Sequence, residues 1–378
     1  MILLSPGGSS VETHDRPDDQ LAVATADGIW FLRRAASGEW SLDHKALPGT
    51  FVSALSRSPS GALIAGTHGF GLARSTDDGR TWGWINNGLS QFDVWVVKAV
   101  ALDGRDRLLA GGMPAHLFIS DDDGGAWREL PALRAAPSLP HWFFPPPPHL
   151  GHVKDIVVQD GSVLLVGIEV GALLRSTDTG TSFTELPVFD DVTDIDIHRI
   201  LLHPARPERC IVATGWGLRI SEDRGATWRE LPAAGMNYPD GLVAHPTDPD
   251  LLFVAGAPGY PPNWFAINRS RSMILRSRDG GRSFERLRTG LPAGQRPSFG
   301  AMTLAAWDGG YAVYAGDTDG QIFETRDGGE SWEIIFETGA VSKGEHYRAL
   351  AKGRPMLTDL DELVFGAKGA HRVATTRA

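Results

Sequence analysis

The sequence predicts an all-β fold in which one four-stranded unit is repeated, and three observations carry that expectation. Forty-five Gly and 25 Pro punctuate apolar runs of only four to seven residues, a pattern of short strands and tight turns rather than long helices. One octet occurs six times, starting at residues 75, 120, 176, 221, 277 and 325, so successive starts lie 45, 56, 45, 56 and 48 residues apart. A period in this range marks a repeat architecture. Around every octet the order is the same: an apolar strand, a Gly-containing turn, a second strand, a third ending in the octet, and a fourth carrying the octet's aromatic. Four strands per repeat make a propeller blade.

Taken along the chain, Ser10–His14, Gln20–Ala24, Gly28–Leu32 and Glu39–Trp40 read as a first blade whose turn is degenerate. Val52–Leu55, Ala62–Ala65, Gly71–Arg74 and Thr81–Trp84 give the second, and the remaining octets mark five more. Near the end, His346–Leu350, Glu362–Phe365 and His371–Ala374 supply three further strands. Ile2–Ser5 would be the fourth, closing the ring and removing two exposed sheet edges. The expectation is therefore a single domain over 1–378 with eight blades, the last split between the termini. Seven blades, with one terminal segment packed outside the ring, is the alternative.

The octets read Ser75-Thr-Asp77-Asp-Gly79-Arg-Thr-Trp82, Ser120-Asp-Asp122-Asp-Gly124-Gly-Ala-Trp127, Ser176-Thr-Asp178-Thr-Gly180-Thr-Ser-Phe183, Ser221-Glu-Asp223-Arg-Gly225-Ala-Thr-Trp228, Ser277-Arg-Asp279-Gly-Gly281-Arg-Ser-Phe284 and Thr325-Arg-Asp327-Gly-Gly329-Glu-Ser-Trp332. Short Ser and Asp side chains accept hydrogen bonds from their own turn, Gly supplies a positive φ, and the aromatic fills the gap between sheets. Six identical groups at six radial positions cannot converge on one substrate, so the octet is a turn lock. The pattern resembles the Asp-box (bacterial neuraminidase) repeat of sialidases, xyloglucan-degrading enzymes, sortilin-type receptors and a photosystem II assembly factor. The resemblance covers essentially the whole chain and implies the propeller fold; those families include both enzymes and binding proteins.

Composition narrows the function. With a formal charge of −10 and no long Lys/Arg run, the chain is not expected to bind nucleic acid or an anionic membrane surface. The N-terminal Met1-Ile2-Leu3-Leu4-Ser5-Pro6 is too short and insufficiently basic for a signal peptide, so a cytoplasmic location is expected. Cys210, the only cysteine, sits in a strand-like run and reads as a buried, inert thiol.

Octet turns hardly vary in length, whereas the connections of the opposite face do, and elaborated loops on a fixed scaffold are where binding sits. Two such loops stand out. His141-Trp-Phe-Phe144-Pro-Pro-Pro-Pro148-His149 is aromatic and stiffened by proline, and Gly256–Arg271 mixes aromatic, amide and guanidinium groups. The inner-strand starts on that face bring Lys154, Tyr238 and Asp240 toward one axis, and its turns add His68, Glu169 and Asp317. We therefore expect a small polar, anionic or carbohydrate-like ligand at the channel mouth. Lys154, Arg269, Arg271 and Arg348 would pair with its charge, Trp142 and Trp264 would stack on it, and His68, Tyr238 and Asp317 would line it.

Whether the site carries chemistry is open at this level. His152, His198 and His346 at blade starts form a candidate transition-metal set, completed by Glu169 or Asp240. Glu169, Asp240 and His198 are the candidate acid–base groups. A glycoside hydrolase-like enzyme with paired carboxylates is one alternative, although the sialidase Arg-Ile-Pro-type motif is absent. A non-catalytic assembly or protein-interaction propeller is the other.

Overall fold

Each of the six octets folds into the same turn. In the fifth blade, Ser221 Oγ donates to Asp223 Oδ1 at 2.8 Å and accepts the buried Gly225 N–H at 2.7 Å. Asp223 also accepts the Thr227 N–H at 2.8 Å and the Thr227 hydroxyl at 2.6 Å. The same Ser/Thr–Asp–Gly bonds recur around Asp77, Asp122, Asp178, Asp279 and Asp327. These donors hold the Asp223 carboxyl down at about 2. Ser221→Ala strands the Gly225 N–H in the interior and is expected to cost about 1–3 kcal/mol, read as a lower urea midpoint at unchanged slope.

The octet glycine has two reasons to be glycine. In the second blade Gly79 has φ +85° and lies against the Phe31 ring of the preceding blade, where a Cβ would collide with it. The octet aromatics point the same way. Trp82, Trp127, Phe183, Trp228, Phe284 and Trp332 each join the apolar cluster between their own blade and the one before.

The computed structural model of the chain describes residues 1–146, 148–190 and 195–341, and these form seven sheets, each a four-stranded blade with one extra strand in the last. Inner strands are Ile2–Leu4, Val52–Arg57, Val94–Leu102, His152–Gln159, Ile197–His203, Tyr238–His245 and Phe299–Trp307, for blades 1 to 7. Seven apolar clusters occupy the seven blade junctions among the described residues. At the junction of blades 7 and 1, where no octet contributes, Trp40 fills the gap and donates its indole N–H to Glu324 at 3.2 Å. No helix among the described residues is long and apolar enough to cross a membrane.

The favoured count of eight blades is thereby corrected to seven, and the reason lies in the first thirteen residues. Ile2–Leu4, expected to complete an eighth blade, is instead the inner strand of the first, paired parallel to Gln20–Thr25. All three of its side chains are buried, which an apolar triplet achieves there and the more polar Val11–Thr13 would not. Val11–Thr13, expected in that slot, runs parallel to Phe299–Trp307 as a fifth, innermost strand of blade 7. Between the two, Gly7 N–H donates to Ser53 O and Ser9 N–H to Leu55 O, while Ser5 Oγ accepts the Leu55 N–H. The N-terminal segment thus lies inside the ring, supplying the inner strand of blade 1 and running against those of blades 2, 3 and 7. The strands expected at 346–350, 362–365 and 371–374 lie outside the described residues.

Candidate functional site

The inner strands of blades 2 to 7 share one irregularity. In each, the pairing with the second strand slips by a residue near the strand's start, leaving Ser53, Trp95, Lys154, His198, Asp240 and Gly300 as the extra residue. A β-bulge re-aims the side chain it carries and recurs beside functional sites. Three of the predicted site residues, Lys154, His198 and Asp240, are therefore structurally equivalent positions in successive blades. All three are buried. They stand at the face opposite the octets, because each inner strand begins there.

Glu169 ends the second strand of blade 4 and ties this level together. Its Oε2 accepts from the Lys154 ammonium and lies 2.9 Å from His152 Nε2. Its Oε1 lies 4.0 Å from His198 Nε2, which is 3.4 Å from Asp196 Oδ2. His198 Nδ1 faces the Pro239 carbonyl at 2.7 Å. A proline carbonyl only accepts, so Nδ1 donates to it and Nε2 is left facing the two carboxylates. The next residue, Val170, has φ +51°, an uncommon conformation for a β-branched side chain, and its N–H donates to Asp196 Oδ1 at 3.0 Å. Backbone strain thus sits directly at the cluster.

Aromatic rings flank the charged groups on both sides. Phe51 meets His68, His68 meets Trp95, and Trp95 lies on His152 with centroids 3.7 Å apart, Phe144 closing against both Trp95 and His152. On the other side His198 packs on Tyr238 and Tyr238 on Trp264. One layer further in, Asp155 Oδ1 lies 3.2 Å from the Lys98 ammonium and 3.8 Å from the Arg199 guanidinium. Burial lowers the Lys98 pKa from its ordinary value, opposed by the Asp155 carboxylate and reinforced by Arg199.

The structure brings His152, Lys154, Glu169, His198 and Tyr238 together, with His68 joined to them through Trp95. Other expected members are placed elsewhere. Trp142 is buried in the cluster between blades 3 and 4, its indole N–H on Ser138 Oγ, and so anchors its loop. Trp264 is likewise buried, in the helix Pro261–Ile267, and packs against Tyr238. Arg269 and Arg271 are exposed beside that helix, lining a shallow groove with Asn263 and Ile267. His346 and Arg348 lie outside the described residues. Asp196 and Trp95 are the residues sequence reasoning left without a role; both stand at inner-strand starts, but nothing in the sequence marks a bulge.

Asp317 is also buried, at the end of the second strand of blade 7. Its Oδ1 accepts the Asp319 and Gln321 N–H groups, which spends that oxygen on a turn, while Oδ2 has no hydrogen-bond partner among the described residues. Burial pushes its carboxyl up to about 7, against those two backbone bonds. A raised carboxyl pKa makes folding less favourable as pH climbs from the unfolded value toward the folded one, and the penalty is complete above about 7. Asp317→Asn keeps the Oδ1 acceptor and removes the charge. It is expected to raise Tm by about 2–4 °C at pH 8 and to leave it unchanged near pH 4, as scanning calorimetry at the two pH values would show.

Fold and site together define a seven-bladed β-propeller with a buried polar cluster at one mouth of its channel. Solved propellers resemble it. The GH74 xyloglucanase of Xanthomonas campestris superposes with a TM-score of 0.63 at 17% identity, over 88% of this chain and 55% of that one. An ancestral GH74 enzyme gives 0.57 at 14% identity, over 73% and 37%. YCF48 bound to D1 peptide gives 0.52 at 13% identity, over 82% and 91%. The chain thus spans about half or less of the GH74 structures and nearly all of YCF48. No protein-family model and no curated protein matches the sequence.

Proposed function

We propose that the chain binds a small polar ligand, anionic or carbohydrate-like, at the channel mouth opposite the octets. The observation that carries this reading is the bulge shared by successive inner strands, which puts Lys154, His198 and Asp240, all buried, at equivalent positions of three neighbouring blades. Burying this many ionisable groups is costly unless they are paired or used, and stability alone does not call for them. Arg269 and Arg271, exposed on the same face, would draw an anionic ligand in. The test is a thermal-shift panel of sugars, carboxylates and phosphates against wild type, Asp240→Asn and His198→Gln. A ligand that raises the Tm of wild type and of neither variant supports the reading. Equal shifts in all three proteins would move binding elsewhere, and none in any would defeat the reading.

Paired-carboxylate glycoside hydrolysis has less support, because Glu169 is tied to Lys154 and His152 and Asp317 serves its turn. A non-catalytic assembly or interaction propeller is favoured by one observation, the near-complete length match to YCF48, whose structure is of a D1 peptide complex. The exposed, stacked Phe70–Trp84 pair, with centroids 5.7 Å apart, is where such a partner would rest.

A further inference from the structure

We propose that Glu169, Asp196 and His198 form a binding site for one divalent first-row transition ion. The inference rests on the reading of this channel mouth as a binding site and names the group that would anchor the ligand. One oxygen of each carboxylate and the imidazole Nε2 all lie within 4.8 Å of one another. Two donors at about 2.1 Å from a common ion stand about 3.0–3.4 Å apart at octahedral to tetrahedral angles. The 3.4 Å between His198 Nε2 and Asp196 Oδ2 meets that spacing, and the 4.0 Å to Glu169 Oε1 closes with a small side-chain turn.

The second observation is His198 itself. It is fully buried, its Nε2 makes no hydrogen bond among the described residues, and it is aimed into the cluster. Its other nitrogen is fixed by the Pro239 carbonyl, the arrangement that orients ligating histidines. The carboxylates are anchored in the same manner. Asp196 gives Oδ1 to the Val170 N–H and points Oδ2 at His198; Glu169 gives Oε2 to Lys154 and His152 and turns Oε1 the same way. One imidazole with two carboxylates suits manganese, iron or zinc better than calcium or a thiophilic ion.

The full chain, purified without a histidine tag or chelator, is analysed for metal, then stripped and titrated calorimetrically with Mn²⁺ and Zn²⁺. Wild type, His198→Gln and Asp196→Asn are compared, the last retaining the acceptor for Val170 and serving as the milder variant. One equivalent bound by wild type, weakened on the order of 10- to 100-fold in both variants, is the expected result. No binding of either ion by stripped wild type, or equal binding in all three proteins, overturns it. The ligand panel repeated on stripped protein separates the two readings. Ligand binding that persists in a protein with no affinity for metal defeats the ion alone, and metal binding without any ligand response defeats the ligand reading alone.

Discussion

Gly7→Ala combined with Gly8→Ala is expected to cost about 3 kcal/mol or more, the upper range of overpacking in a filled core. A Cβ on Gly7 would fall inside the van der Waals radius of the Trp95 carbonyl oxygen, and one on Gly8 would do the same at Leu55. Both obstacles are inner-strand backbone, so no side chain can rotate away. The N-terminal segment would have to leave the ring, taking with it the Gly7–Ser53 and Ser9–Leu55 hydrogen bonds and the buried Ile2, Leu3 and Leu4. Urea unfolding measures the loss. Gly83→Ala is the control, since a Cβ there meets nothing within 4 Å and the backbone is not in the left-handed region. A double variant as stable as this control would mean that the segment is not seated in the channel. The consequence reaches the site, because the Trp95 carbonyl belongs to the bulge whose side chain lies on His152.

The repeat and its locks were legible because the octet is local chemistry. Ser221, Asp223, Gly225 and Trp228 do their work within eight residues, and six copies leave no doubt about the period. The N-terminal strands were harder. Ile2–Leu4 and Val11–Thr13 both read as strands, but which slot each fills depends on burial in a ring that no local window contains. The site divides along the same line. Loop length pointed to the face at which Lys154, Glu169 and His198 gather, since variable connections are visible in sequence. Trp142 and Trp264 looked like ligand-stacking residues on composition, yet both are loop anchors, because aromatic residues in long loops are most often spent on holding the loop down. Asp196 escaped notice as a ligand because its meaning comes from Glu169 in the neighbouring blade.

Lys154→Met is expected to destabilise the protein by about 3–5 kcal/mol, measured in chelator so that no added ion takes over the lost charge. Methionine matches the lysine stem in length, and both Lys154 and Glu169 are almost fully buried, so the change removes charge with little change in packing. What remains is a Glu169 carboxylate 2.9 Å from His152 and 4.0 Å from His198, short of one positive partner in a water-poor interior. The cost belongs to the carboxylate that has lost its ammonium rather than to the pair. Adding Glu169→Gln to Lys154→Met should therefore recover much of the loss, with a coupling of about 1–3 kcal/mol in the double-mutant cycle. Strictly additive losses would mean that the lysine acts through its stem alone. A recovery shows a cluster balanced for charge instead of for rigidity, and sets the electrostatic ground on which a bound ion or an anionic ligand would act.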